Sequence, residues 1–304
     1  MKQKFISKNF RAGTLILIEQ VNRIIAAYEA QGYTLTLRQV YYQLVARGII
    51  PNTEQSYKKI GSIINDARLA GLIDWSAIED RTRNLQSLSH WSSPGSIIHS
   101  AYHSFRLDKW EDQHAYPEVW VEKEALIGVV AGVCREWDVP YFACRGYVSA
   151  SEMYGAAQRL LKQAEAGKEL VILHLGDHDP SGIDMTRDII ERLKMFLGYN
   201  RLEVRRIALT WEQIEEYDPP PNPAKDTDSR FDGYRTEYGD ESWELDALEP
   251  SVITDLIETN LREFLDEDEW DKTVLREDEH RKSLLKAASN WDKVATYVAG
   301  LRDG

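Results

Sequence analysis

Apolar positions in the first part of the chain recur at helical spacing. From about 9 to 31, Leu15, Ile16, Ile18, Val21, Ile24, Ile25 and Tyr28 form one stripe ending at Gly32, which predicts an amphipathic helix. The stretch TLTLRQVYYQLVARG at 34–48 predicts a second, with Thr36 as N-cap and Gly48 as its stop. A third is predicted over 53–70, closed by Gly71. After a less regular segment at 92–116 the period changes. A strand near 118–122, VPYFAC, LVILHL at 170–175 and VRRIALT near 204–210 are short apolar runs, separated by helical stretches at 123–137, SASEMYGAAQRLLKQAEAG and 180–197. This βαβαβαβ order predicts an α/β fold, a parallel sheet with helices on both faces. From 217 the chain turns proline-rich and acidic, which predicts an irregular surface stretch, and helical signals return from about 244.

The helices and the alternating region predict two domains. Residues 1–110 hold three short helices followed by LIDWSAIEDRTRNLQ, a short ribbon or helix turn carrying Arg81 and Arg83. That order describes a winged-helix (CAP-like) module, whose helix or wing meets a DNA backbone. Residues 111–304 hold the parallel sheet and a C-terminal helical extension. Charge divides the same way: residues 1–110 carry 14 Lys plus Arg against 8 Asp plus Glu, and the rest carry 23 against 42. The net charge of −13 by itself argues against a polyanion partner, but the amino-terminal part is basic enough to face one.

At 304 residues and 43% hydrophobic content the chain has enough apolar sequence for a sizeable core. It contains no apolar run of membrane-span length and starts on an amphipathic pattern, so a cytoplasmic protein without a membrane partner is expected. Cys134 and Cys144 are too few and too isolated for a disulfide framework or a cysteine-rich zinc site, and are expected as reduced, semi-buried thiols.

Candidate chemistry lies in two places. LHLGDHDPSGIDM sets Asp177 and Asp179 directly after a buried-strand pattern, at the carboxyl end where open α/β sheets place ligands. The strand near 118–122 ends on Glu122, so parallel packing brings three carboxylates to one edge. Hard oxygen donors of this kind suit Mg²⁺ or Mn²⁺, and no His or Cys set is spaced for zinc. Two alternatives stand beside this: each acid caps the helix behind it, or the two aspartates belong to a DxD phosphatase whose first Asp is a nucleophile. His178, between the aspartates, should point the other way.

In RQVYYQ, Arg38 shares a helix face with Tyr41 or Tyr42. An arginine beside a phenol can bind a phosphate and favour the phenolate, whose oxygen attacks phosphorus. The alternative is two core tyrosines with Arg38 snorkelling outward. Arg47, Lys58 and Lys59 read as solvated charges unless a DNA groove passes them.

TLRQVYYQL, VWVEKEAL and LGDHDPSGIDM, in that order, resemble the A subunit of topoisomerase VI and the related meiotic double-strand-break transesterase. ACRGY at 143–147 and ELDAL at 244–248 add weaker similarity, and the whole covers roughly residues 34–250. The resemblance implies a winged-helix domain carrying a nucleophilic tyrosine, joined to a Toprim domain that holds Mg²⁺. Tyr42 would attack the DNA backbone and become linked to a 5′ phosphate, and Arg38 would hold the scissile phosphate. Glu122, Asp177 and Asp179 would bind metal, with Glu122 also handling the proton on the departing 3′ oxygen. It further implies a homodimer, the tyrosine of one subunit meeting the other's metal site. The chain is shorter than a typical A subunit and nothing in it resembles a GHKL ATPase, so strand passage would need a separate ATPase subunit. The acidic second part leaves less basic surface for duplex DNA than that family suggests. Three readings follow: a DNA-cleaving transesterase using Tyr42, a metal-dependent Toprim nuclease in which Tyr42 is packing, and a non-catalytic DNA-binding or assembly module.

Overall fold

The computed structural model describes residues 2–79, 88–198 and 202–301. The first helix, α1, runs Ala12–Glu29 and buries Ile18, Val21, Ile24, Ile25 and Tyr28, while Leu15 and Ile16 stay exposed. The two-residue strand Leu35–Thr36 (β1) leads into α2 (Leu37–Ala46). Thr36 caps it as expected: its hydroxyl accepts the Gln39 backbone N–H and the Gln39 side chain accepts the Thr36 N–H. Such a reciprocal cap contributes about 1 kcal/mol. α3 (Glu54–Leu69) begins on a Thr53 cap. These helices close over Tyr28, Leu35, Val40, Leu44, Ile60 and Ile73, each fully buried side chain contributing about 1.5–3 kcal/mol. β1 pairs in parallel with Ile78–Glu79 (β2). Arg81 and Arg83, the expected basic residues of a ribbon, lie outside the described residues.

The segment expected to be less regular holds a helix, α4 (Pro94–Ser104), started by a Ser93–Ser96 capping box with Pro94 in the first turn. Its start signal was local; its weak apolar stripe hid the rest. The sheet region follows the expected order. β3 (Ala115–Val121), one 3₁₀ turn, α5 (Ile127–Glu136), β4 (Tyr141–Ala143), α6 (Ala150–Glu165), β5 (Glu169–Leu175), α7 (Pro180–Leu197), β6 (Leu202–Ala208) and α8 (Trp211–Tyr217) succeed one another. The four strands form a parallel sheet in the order β4-β3-β5-β6. β3 is buried throughout and β5 at all but its first residue, as strands covered on both faces must be. Trp120, Leu170 and Ile172 share a core with residues of α6 and α7, such as Met153, Leu160, Ile189 and Leu193.

The proline-rich stretch departs from expectation. It contains a short antiparallel pair, Asn222–Pro223 (β7) with Glu241–Ser242 (β8), and between them α9 (Phe231–Tyr238). Tyr234 and Trp243 in it are buried, because aromatic side chains here pack against a distant loop. A single buried 3₁₀ turn, Leu245–Ala247, precedes α10 (Pro250–Arg262), which packs on α5 and β6.

The packing forms two compact units. Met1–Arg83 with Tyr116–Glu263 make one, and Asn84–Ala115 with Phe264–Gly304 the other. This differs from a linear division at 110, because α2 packs against the 245–247 turn, within the unit that holds the sheet, whereas α4 pairs with α11 (Glu267–Ser289). In the second unit Glu277 accepts the Leu107 N–H and pairs with Lys109, Gln113 and Asp266 exchange two hydrogen bonds, and α12 (Trp291–Ala299) follows. Among the described residues no helix is long and apolar enough to cross a membrane. Cys134 and Cys144 are both free and buried.

Candidate functional site

Strand order reverses at β3, which has β4 on one side and β5 on the other. Open α/β sheets collect ligands outside the carboxyl ends at such a reversal. Glu122 is the first residue past β3 and Asp177 the second past β5, and the Asp177 N–H donates to Glu122 Oε2 at 2.8 Å. Two glycines permit this crossing. A Cβ on Gly176 would lie 3.1 Å from Glu122 Oε2, and one on Gly182 would lie 2.2 Å from the Asp177 carbonyl oxygen.

Asp179 sits at the N-cap of α7, its Oδ1 accepting from Gly182 N at 2.6 Å and Ser181 Oγ at 2.9 Å. For this acid, capping describes the observed contacts. Asp177 Oδ1 accepts the Leu245 N–H at 2.7 Å and pairs with Lys123 Nζ at 3.0 Å. Burial, then the charges of Asp177 and Asp179, push the Glu122 carboxyl up to about 7. Burial also raises Asp177, against the pull of Lys123. The three acids are thus within electrostatic range of one another.

Two cations hold this negative charge, and reading the sequence assigned a role to neither. Lys123, beside Glu122, pairs with Asp177 at 3.0 Å, with Asp246 at 3.0 Å and with Glu244. Arg206 of β6 donates to the carbonyls of Gly176 (2.9 Å), Asp177 (2.5 Å), Gly182 (3.0 Å) and Leu209 (3.1 Å), and to Thr186 Oγ1 (3.0 Å). Burial lowers its proton affinity to about 10, so it remains a fixed cation under the acidic loop. Lys123 was visible as a charge within VEKE; Arg206 looked like any strand arginine.

The tyrosine helix reaches the same place. Arg38 Nε donates to Asp246 Oδ2 at 2.7 Å and Nη2 to Glu244 at 2.9 Å. Nη2 also lies 3.4 Å from the Tyr42 oxygen. The ELDAL residues therefore sit between the arginine and the lysine, and an unbroken path runs Tyr42–Arg38–Asp246–Lys123–Asp177–Glu122 within one compact unit.

Both tyrosines are buried, but their oxygens differ. Tyr41 donates to Asn52 Oδ1 at 3.0 Å and receives the Thr53 N–H at 2.9 Å, a tie to the start of α3. Tyr42 faces Arg38 Nη2 at 3.4 Å, and burial, then Asp246, push it up to about 12 against the pull of Arg38. A cavity of about 230 Å³ opens beside it, lined by Arg38, Tyr41, Tyr42, Asn52, Tyr57 and Asn222 among others.

His178 turns its ring away from the carboxylates into Trp211, Tyr234, Tyr238 and Trp243. Its Nδ1 lies 2.8 Å from Tyr234 Oη, and its backbone exchanges hydrogen bonds with Trp243 at 2.8 and 2.9 Å. This clasp fastens the acidic loop to the segment that carries Glu244 and Asp246.

For a divalent ion, the donor atoms fit in kind: hard carboxylate oxygens whose mutual repulsion a cation relieves. Their spacing is less favourable. Among the described residues no group of three His, Cys, Asp or Glu is arranged to hold a metal ion; one oxygen of Asp179 serves α7, and one of Asp177 serves Leu245 and Lys123. No protein-family profile and no curated protein sequence matches the chain.

Proposed function

We propose that the chain cleaves DNA by tyrosine transesterification, in the manner of the type IIB topoisomerase A subunit. Under this reading the three N-terminal helices form a winged-helix domain and the parallel sheet a Toprim domain. The observation that carries it is the path from Tyr42 through Arg38, Asp246 and Lys123 to Asp177 and Glu122. It couples a phenol to an acidic cluster at the sheet's reversal point, two parts that the sequence places far apart.

In the proposed step the Tyr42 oxygen attacks a backbone phosphorus. An O–P bond forms to give a 5′-phosphotyrosyl ester as the phenolic proton passes to solvent in the adjoining cavity, and the bond to the 3′ oxygen breaks, that oxygen leaving as a hydroxyl once it has taken up a proton. Arg38 lies beside the reacting oxygen and offsets negative charge on the phosphate. Glu122, whose carboxyl is raised by burial and its acidic neighbours, would handle the proton on the departing 3′ oxygen. Glu122, Asp177 and Asp179 would hold Mg²⁺ or Mn²⁺, which when bound polarises a phosphoryl oxygen or steadies the leaving alkoxide. A homodimer would set two such sites against the two strands, and strand passage would draw on a separate ATPase subunit.

The test is a denaturing gel of the full chain with labelled supercoiled and linear duplex DNA and Mg²⁺. A protein–DNA adduct lost in Tyr42→Phe and Asp177→Ala is expected. Cutting that persists in Tyr42→Phe without an adduct would replace this mechanism by a metal-dependent nuclease. Salt-sensitive binding without cutting would leave a DNA-binding module.

A further inference from the structure

We propose that the cavity beside Tyr42 takes a single DNA base turned out of its stack, with Tyr57 as the ring it stacks on. The proposal rests on the transesterase reading and adds to it a base contact next to the reacting oxygen.

Size and wall chemistry select the ligand. The cavity measures about 230 Å³, below the roughly 300–1,000 Å³ of sites that enclose a whole small molecule, so it suits one planar ring system. Its walls are aromatic. Tyr41 meets both Tyr42 and Tyr57 with ring centroids 5.2 Å apart, at interplanar angles of 70° and 84°. Tyr57 is half-buried and keeps one ring face clear of Tyr41, because an edge-to-face contact covers no more than one. The walls are also fixed before any ligand arrives. Tyr41 Oη donates to Asn52 Oδ1 at 3.0 Å and receives the Thr53 N–H at 2.9 Å, and Asn52 Nδ2 donates to Asn222 Oδ1.

A phosphate suits the interior less well. Among the residues that line the cavity Arg38 is the one cation, and its Nε and Nη2 already serve Asp246 and Glu244. Glu54, exposed at the start of α3, adds a carboxylate to the rim. Stacking needs no net charge, and every base offers a π face. Arg38 keeps 41% side-chain exposure, enough for the phosphate of the same nucleotide to reach it at the cavity's edge. A base leaves the duplex most readily where it is mismatched or unpaired, so adducts should form preferentially beside such positions.

The experiment measures binding of the full chain, with chelator present so that no strand is cut, to single-stranded oligodeoxycytidine and to an abasic strand of equal length and charge. Wild type is compared with Tyr57→Ala and with Tyr57→Leu, which keeps apolar packing against Tyr41. Both substitutions should weaken the oligodeoxycytidine complex about five- to a hundredfold, the range of one base–aromatic stack, and leave the abasic complex within about twofold. Equal losses on both strands would mean that Tyr57 acts only through structure, and unchanged affinity for both that no base enters; either overturns the proposal, as does absence of binding to both strands. Free deoxycytidine monophosphate bound as tightly as the strand, and through Tyr57, would make the ligand a nucleotide and overturn it too. Absence of an adduct from wild-type protein in the denaturing gel removes the transesterase reading instead, and the comparison of the two strands still decides whether the cavity takes a base.

Discussion

Arg38 and Asp246 are separated by 208 positions and meet at 2.7 Å, Nε to Oδ2. The Asp246 side chain is fully buried, and its other oxygen takes Lys123 at 3.0 Å. One carboxylate thus joins the tyrosine helix to the acidic loop. Asp246→Ala should cost about 3 kcal/mol in urea denaturation, the lower end for breaking a buried pair, because Arg38 keeps 41% side-chain exposure. In a double-mutant cycle with Lys123→Met the losses should be strongly non-additive. Additive losses would mean that Asp246 is not shared between the two cations.

The two adjacent tyrosines should separate by phenotype. Tyr41→Phe removes a hydroxyl that both donates to Asn52 and receives the Thr53 N–H, so a loss of about 1–2 kcal/mol is expected with DNA adduct formation retained in part. Tyr42→Phe should change stability by less and abolish the adduct. Thermal melts and the denaturing gel read the two effects, and the reverse assignment would make Tyr41 the reacting group.

Gly182→Ala should be among the most damaging single-methyl changes in the first unit. The added Cβ would fall 2.2 Å from the Asp177 carbonyl oxygen, an oxygen already held by Arg206 at 2.5 Å. The loop must move, and overpacking of this kind costs about 1–3 kcal/mol. Circular dichroism should show a folded but less stable protein; stability equal to wild type would mean that the loop yields freely.

Stability should respond to pH with two opposed slopes. Glu122 is raised from an ordinary value of 4.5 to about 7 by burial and its acidic neighbours, so the folded state binds the extra proton and its contribution is lost as pH rises through that window. His178 is lowered by burial from 6.5 to about 4 and His174 to about 3. For these the unfolded state binds the proton, and stability is lost as pH falls below 6.5. In melts with chelator, Glu122→Gln should lose the decline between pH 4.5 and 7 and keep the acid-side decline. A difference from wild type that does not vary with pH would sink the Glu122 assignment. Lys123→Met, which removes a neighbouring cation, should move the Glu122 window upward.

Much of the architecture was legible along the chain. α7 spans Pro180–Leu197, as the helical stretch at 180–197 predicts, and Thr36 caps α2 as read. Buried parallel strands announce themselves as unbroken apolar runs, so β3 and β5 were visible. α4 was missed because none of its residues is buried enough to leave an apolar stripe; it lies against α11, far along the chain in the same unit. The 217–243 segment was misread as irregular surface because its prolines and acids are local facts, whereas the burial of Tyr234 and Trp243 depends on His178.

Periodicity and capping chemistry act over a few residues, and so the chain by itself determined where most of the helices and the strands of the parallel sheet begin, and that Glu122 and Asp177 would follow the carboxyl ends of two of those strands. Which charges neutralise that edge was decided only by tertiary packing. Lys123, Arg206 and Asp246 reach their partners across separations as large as 208 residues, as in the Arg38–Asp246 pair. Coulomb attraction and hydrogen bonds depend on distance in space, not along the chain.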